Sequence, residues 1–215
     1  MTKTGQKKPV TGYDVSVCFG SKGCPHVALS TADLARKLTF LLTQADIPGF
    51  LKSSTNGKIR PHHELRIVLS DCPNACSRPQ IADIGIIGAV VPGVGDAACT
   101  GCNACVRKCP DRAIRLTDTS DGNKTPVIDM NLCQRCGQCV HVCPGRTLEP
   151  VQSGFRILLG GRLGRHPRLA TEMPGLHSHD QVVATVETCL NYYKTHSRNG
   201  QRFSHLFSRI DQVFA

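Results

Sequence analysis

Apolar positions along the chain switch between two periods, and the switch predicts a mixed α+β fold. Tyr13 to Cys18 alternates as a strand does. Leu65-Arg-Ile-Val-Leu69 and Ile81-Ala-Asp-Ile-Gly-Ile-Ile87 are short, rich in β-branched residues and bounded by turn formers, and Gly154-Phe-Arg-Ile-Leu-Leu159 ends in Gly160-Gly161. All of these read as strands. Leu34, Leu38, Leu41 and Leu42 recur at helical spacing, with Ser30 as N-cap and Asp33 at N3, so a helix is predicted to about Gln44, stopping before Pro48. Val182, Val183, Val186, Leu190 and Tyr193 share one face of a second helix capped by Ser178 or Asp180. A last amphipathic helix carries Phe203, Leu206, Phe207, Ile210 and Phe214. Residues 1–12 read as a flexible basic lead, 52–61 as a polar loop, and the Gly-rich run 88–95 as a turn-rich continuation of the preceding strand.

The thirteen cysteines change this picture most. The N-terminal stretch Met1 to Pro9 has no apolar core of a secretory signal, and no apolar run of about 18 residues could span a bilayer. A cytoplasmic location is therefore expected, where thiols serve as metal ligands or catalysts more often than as disulfides. Twelve of the thirteen fall into three sets of four, leaving Cys189 alone on the apolar face of its helix as a small buried hydrophobe. With aromatics at 5% and no Trp, bound cofactors would supply part of the core.

The central set is a repeat. Cys99-x2-Cys102-x2-Cys105-x3-Cys109-Pro110 recurs 34 residues later as Cys133-x2-Cys136-x2-Cys139-x3-Cys143-Pro144. This is the bacterial ferredoxin run, in which the fourth cysteine of each motif ligates the other motif's cluster. One 4Fe-4S cluster would take Cys99, Cys102, Cys105 and Cys143; the other would take Cys133, Cys136, Cys139 and Cys109. Structural zinc uses paired CxxC knuckles across a longer loop, a different spacing. Ala113–Leu116 and Val127–Met130 read as the hairpin that shields these clusters. The repeat would form an inserted domain, residues 97–150, within a larger one made of residues 1–96 and 151–215.

The outer set is Cys18-x5-Cys24 with Cys72-Pro-Asn-Ala-Cys76, the latter placed on a tight strand-to-strand turn fixed by Pro73 and Asn74. Four thiols match one further cubane. The formal charge of +10 is concentrated in two flanks, the first of which carries Cys18 and Cys24: +6 over residues 1–70, zero over 71–143 and +4 over 144–215. Lys and Arg are scattered, without a recognition helix or aromatic stacking motif, so nucleic acid is not the expected partner. No Ser-His-Asp arrangement, Walker loop or dinucleotide fingerprint is present.

These outer cysteines, with Arg78-Pro-Gln-Ile-Ala-Asp-Ile-Gly85-Ile-Ile-Gly88 and the Gly154–Pro167 segment, resemble the signature of the siroheme-dependent sulfite and nitrite reductases. The likeness is greatest to the anaerobic and dissimilatory members with an inserted ferredoxin module, and it covers roughly residues 13–210. The resemblance implies half a sulfite reductase fold, three 4Fe-4S clusters and siroheme. Cys18, Cys24, Cys72 and Cys76 would hold a cubane, and Cys76 would bridge to the siroheme iron as the catalytic ligand. Electrons from a redox donor protein or subunit would pass through the ferredoxin clusters to reduce sulfite or nitrite. Siroheme is a polycarboxylate, so Lys22, Arg66, Arg78, Arg156, Arg162, Arg165 and Arg168 are candidates for carboxylate or oxyanion contacts. His166 lies in the same segment, His141 is placed to tune a cluster by hydrogen bonding, and His62-His63 reads as an exposed pair. Full-length relatives carry a further N-terminal half that grips the substrate anion, whereas seventeen residues precede Cys18 here. Either the chain is then a minimal reductase, or a partner or a second copy completes the haem site. The alternative is an electron-transfer protein with three cubanes and no haem.

Overall fold

The computed structural model describes residues 10–214; the basic lead expected at the N-terminus falls largely outside them. Five strands form the main sheet: β1 (Tyr13–Val17), β2 (Leu65–Ser70), β3 (Ile84–Val94), β6 (Leu148–Leu159) and β7 (Thr171–Glu172), lying side by side in that order. β1, β2 and β3 are parallel neighbours, while β6 is antiparallel to β3 and β7 to β6. A separate hairpin pairs β4 (Ile114–Asp118) with β5 (Lys124–Ile128), so the hairpin expected from the sequence is present, with its second strand starting at Lys124 rather than Val127.

Alternation along the strands assigns the two faces of the sheet. Ile67, Leu69, Ile84, Ile86, Phe155, Ile157 and Leu159 point into the main core beneath α1 (Ala32–Gln44), α2 (Ile47–Ser54) and α5 (His179–His196). The intervening Ile87 and Leu158 point the other way, where they pack with Ala75. Helices therefore cover one face, and the loop bearing Cys72 and Cys76 lies on the other.

That loop is not the tight turn expected. Parallel strands cannot be joined by a hairpin turn, so residues 71–83 cross over between β2 and β3, with a short 3₁₀ turn at Pro79–Ile81. The strand after it consequently starts at Ile84 rather than Ile81. It also continues through the Gly-rich run to Val94, because a register shift between Val91 and Pro92 accommodates the proline. Gly88 lets the loops close onto it: a Cβ there would run into the carbonyl oxygen of Leu29 and lie 3.0 Å from that of Asp71.

Three helix expectations need correction. Thr31, not Ser30, is the N-cap of α1, and the orphan donors there are satisfied from across the chain. Asp71 Oδ1 accepts from the Thr31 backbone N–H at 2.9 Å and from its hydroxyl at 2.6 Å. Pro48 does not only stop α1. It stands in the first turn of α2, where proline has no N–H to leave unpaired, so the expected loop from residue 52 begins after Ser54. The C-terminal amphipathic helix breaks into α6 (Phe203–Leu206) and a 3₁₀ turn at Ile210–Gln212. Phe203 and Phe207 bury their rings, stacked with centroids 5.6 Å apart. Of the two caps the sequence offers for α5, the structure takes Ser178, in a complete capping box with Gln181.

Candidate metal centres

Residues 97–150 build a second, smaller core of Cys105, Ile114, Cys139 and Leu148. Two short helices, α3 (Ala104–Lys108) and α4 (Gln138–His141), begin inside the two cysteine motifs. Their fourth cysteines cross over. Cys99, Cys102, Cys105 and Cys143 line one small recess. Cys109, Cys133, Cys136 and Cys139 line another.

The thiols sense both burial and each other. Burial pushes the Cys105 thiol up, and Cys143 and Cys99 add to the shift. Burial likewise raises Cys133, with Cys136 and Cys109 contributing. Cys139 is pushed up to about 12 by burial, then by Cys136 and Cys133. Cys102 differs. It is exposed, and the Ala104 N–H, the Thr100 hydroxyl and the Arg107 guanidinium hold its thiol below the usual range.

The outer four gather on the cysteine loop's side of the sheet. Burial raises the Cys72 thiol, and Cys18, Cys24 and Cys76 are near enough to raise it further. Cys18 Sγ accepts from the backbone N–H groups of Gly20 at 3.3 Å and Asp71 at 3.2 Å. Asn74 Nδ2 donates to Cys76 Sγ at 2.9 Å. Cys76 is the exposed member of the four; Cys72 is buried and the other two are half-buried.

This donor chemistry fits the inferred clusters. Among the described residues no three Cys, His, Asp or Glu side chains converge tightly enough for one metal ion. Each inner quartet instead surrounds a volume, as four corner ligands of a cubane must. Backbone and amide N–H groups aimed at sulfur offset the anionic charge that thiolates would carry. A tetrapyrrole ligated through the same sulfur needs an outward-facing thiol, and Cys76 supplies one.

The seven candidate cations divide. Arg156 makes a fork to Glu172, with Nε 2.8 Å from Oε1 and Nη2 2.5 Å from Oε2, and the carboxylate raises the guanidinium's pKa. Arg162 donates to the carbonyls of His166 and Ser204, and Arg168 to those of Phe207 and Ser208. These three hold the C-terminal segment and β7 in place. Lys22, Arg66, Arg78 and Arg165 are exposed, with Lys22 5.7 Å above the Phe19 ring. His141 and His166 are exposed, and the His62 and His63 rings meet edge-on at 4.2 Å. Cys189 is fully buried.

The sequence reading missed a cleft of about 500 Å³ where the outer set meets the second inner quartet. Its walls include His26, Cys72 and Asn74 on one side and Cys136 and Gln138 on the other. Nearby, β3 is tied to the insert: Val90 N–H donates to Arg135 O at 2.7 Å.

A family model described as the nitrite and sulphite reductase 4Fe-4S domain matches residues 13–212. The coenzyme F420-dependent sulfite reductase of Methanocaldococcus jannaschii is 33% identical over 200 residues, which is 93% of this chain and 29% of that protein. A subunit of the anaerobic sulfite reductase of Salmonella typhimurium is 28% identical over 113 residues, 53% of this chain and 29% of that protein. The crystal structure of dissimilatory sulfite reductase I shares the fold at a TM-score of 0.59 and 17% identity, over 93% of this chain and 50% of that one. The chain thus spans under a third of the curated relatives it matches.

Proposed function

Because this chain belongs to the nitrite and sulphite reductase 4Fe-4S domain family, we propose that it is the electron-delivering, haem-facing part of an enzyme that reduces sulfite or nitrite. Three 4Fe-4S clusters and one siroheme are its cofactors: bound, they supply one-electron transfer and the iron at which the substrate anion is held. The observation that carries the reading is the exposure of Cys76 beside its buried partner Cys72. That arrangement leaves one sulfur of the outer quartet free to face a second cofactor.

The chain's own residues then have separable tasks. Cys18, Cys24 and Cys72 hold the outer centre against the sheet, and Asn74 fixes the Cys76 sulfur through its amide N–H. Lys22, Arg66, Arg78 and Arg165 are the cations left for carboxylates or for the substrate anion, since a fork of N–H donors suits oxyanions. Arg156, Arg162 and Arg168 are committed to protein partners and act on the site by holding its border. The insert, residues 97–150, accepts electrons from a donor protein or subunit. The Salmonella relative is by its name one subunit of a larger enzyme, and a partner or second copy supplies the remaining cations of the haem site here. Among the described residues no helix is long and apolar enough to cross a membrane.

An absorption spectrum of anaerobically purified protein, with iron counted, tests this. Siroheme bands with about thirteen irons per chain are expected. A plain cluster shoulder with about twelve, persisting when the partner subunits are co-purified, would leave only an electron carrier.

A further inference from the structure

The two cysteine motifs differ in what stands between their second and third cysteines: Asn103-Ala104 in the first, Gly137-Gln138 in the second. Gln138 is 7% exposed, and its Nε2 is buried with no hydrogen-bond partner. A buried N–H left without an acceptor forfeits its hydration for nothing, so its retention points to an acceptor that arrives with a bound group. Gln138 lines both the recess of the Cys109, Cys133, Cys136 and Cys139 quartet and the cleft shared with Cys72. Ala104, at the equivalent place in the other motif, has no side-chain donor to offer.

Hydrogen bonds to cluster sulfurs are among the determinants of reduction potential. An N–H dipole aimed at an anionic centre favours the state with one more negative charge, which is the reduced one. We propose that Gln138 is a positioning residue that makes the centre in the second quartet, on the side of the insert that borders the cleft to the outer quartet, a stronger electron acceptor than its cysteines alone would make it. Electrons then run from the Cys99, Cys102, Cys105 and Cys143 site, whose Cys102 corner is exposed to an external one-electron carrier, to the second site. From there they cross the cleft to the outer quartet. Each transfer moves one electron, oxidising the donor centre by one and reducing the acceptor by one, and no covalent bond forms or breaks. This inference rests on the two-cluster reading of the insert.

The test is a redox titration of the cluster-loaded full chain, followed by electron paramagnetic resonance after iron and sulfide are counted. Gln138→Met keeps the side-chain volume and removes the donor; Gln138→Ala copies the residue that the first motif already carries. Both variants should shift one insert potential to a more negative value and leave the other where it was. Unmoved potentials in a fully loaded variant, or an equal shift of both, would overturn the role of Gln138 while leaving the cluster assignment intact. Loading below about eight irons in the insert of the unsubstituted chain would instead remove the two-cluster reading, and this inference with it.

Discussion

Arg202 and Asp83 form a buried ion pair between the C-terminal segment and the first residue before β3, with Nη2 2.5 Å from Oδ2. The carboxylate is fully buried and also accepts the backbone N–H groups of Arg66 at 2.9 Å and Ser204 at 3.0 Å. It thereby joins β2, the end of the cysteine loop and α6. Removing one partner leaves a charge in the interior without compensation. Arg202→Met should lower stability by about 3–5 kcal/mol in urea unfolding. Adding Asp83→Asn to that variant should recover part of the loss; a variant as stable as the parent would mean that the pair is solvated.

Gly137 adopts φ +68°, and a Cβ on it would sit 3.0 Å from Val90 Cβ. Gly137→Ala combines left-handed strain of about 1–2 kcal/mol with a clash at the place where the insert meets β3. Faster hydrogen exchange at the Val90 amide, whose acceptor is Arg135 O, is the expected local sign. Exchange unchanged there would place the strain elsewhere.

Cys189 gives a pH dependence whose sign is fixed. Burial pushes its thiol up to about 12 from an ordinary 9.0. The folded thiol stays neutral where the unfolded one ionises, so its contribution is complete below pH 9 and is lost as pH rises towards 12. The slope is about 1.4 kcal/mol per pH unit in that window. Tyr193, also raised by burial, adds to the decline from about pH 10 upward. Urea midpoints compared at about pH 8 and about pH 10 should fall less in Cys189→Ala than in the parent.

Cys76→Ser tests the proposal that this thiol bridges a cluster and a siroheme. The two inner quartets lie elsewhere in the chain, so their iron and their magnetic signals should survive unchanged. The haem spectrum should lose its coupling to the neighbouring cluster. A haem spectrum identical to that of the parent would reject the shared sulfur.

The grouping of the cysteines into sets was legible because ligand spacing is a local property of sequence, and the β4–β5 hairpin was roughly placed for the same reason; at α5 the sequence left Ser178 and Asp180 open as the cap, and the Gln181 half of the capping box was not read. What pairs at a distance was not. Nothing in Leu65–Leu69 or Ile81–Ile87 reveals that these strands run parallel, so the crossover at Cys72–Cys76 looked like a turn. Pro48 reads equally as the end of one helix or the first turn of the next. Arg156 and Arg78 cannot be distinguished along the chain, because only the fold brings Glu172 to the first and leaves the second in solvent. Gln138 reads as filler between ligands until the fold turns its amide to a cleft.

β6 begins at Leu148, inside the small core, and ends at Leu159, inside the large one. One strand, bulged where its register shifts opposite Val91 and Pro92, is therefore the joint between the two. Spacing between the inner and outer centres is set by backbone hydrogen bonds rather than by collision of tethered bodies. Tunnelling across it should run at a rate indifferent to salt and viscosity, even where delivery of charge from outside depends on both.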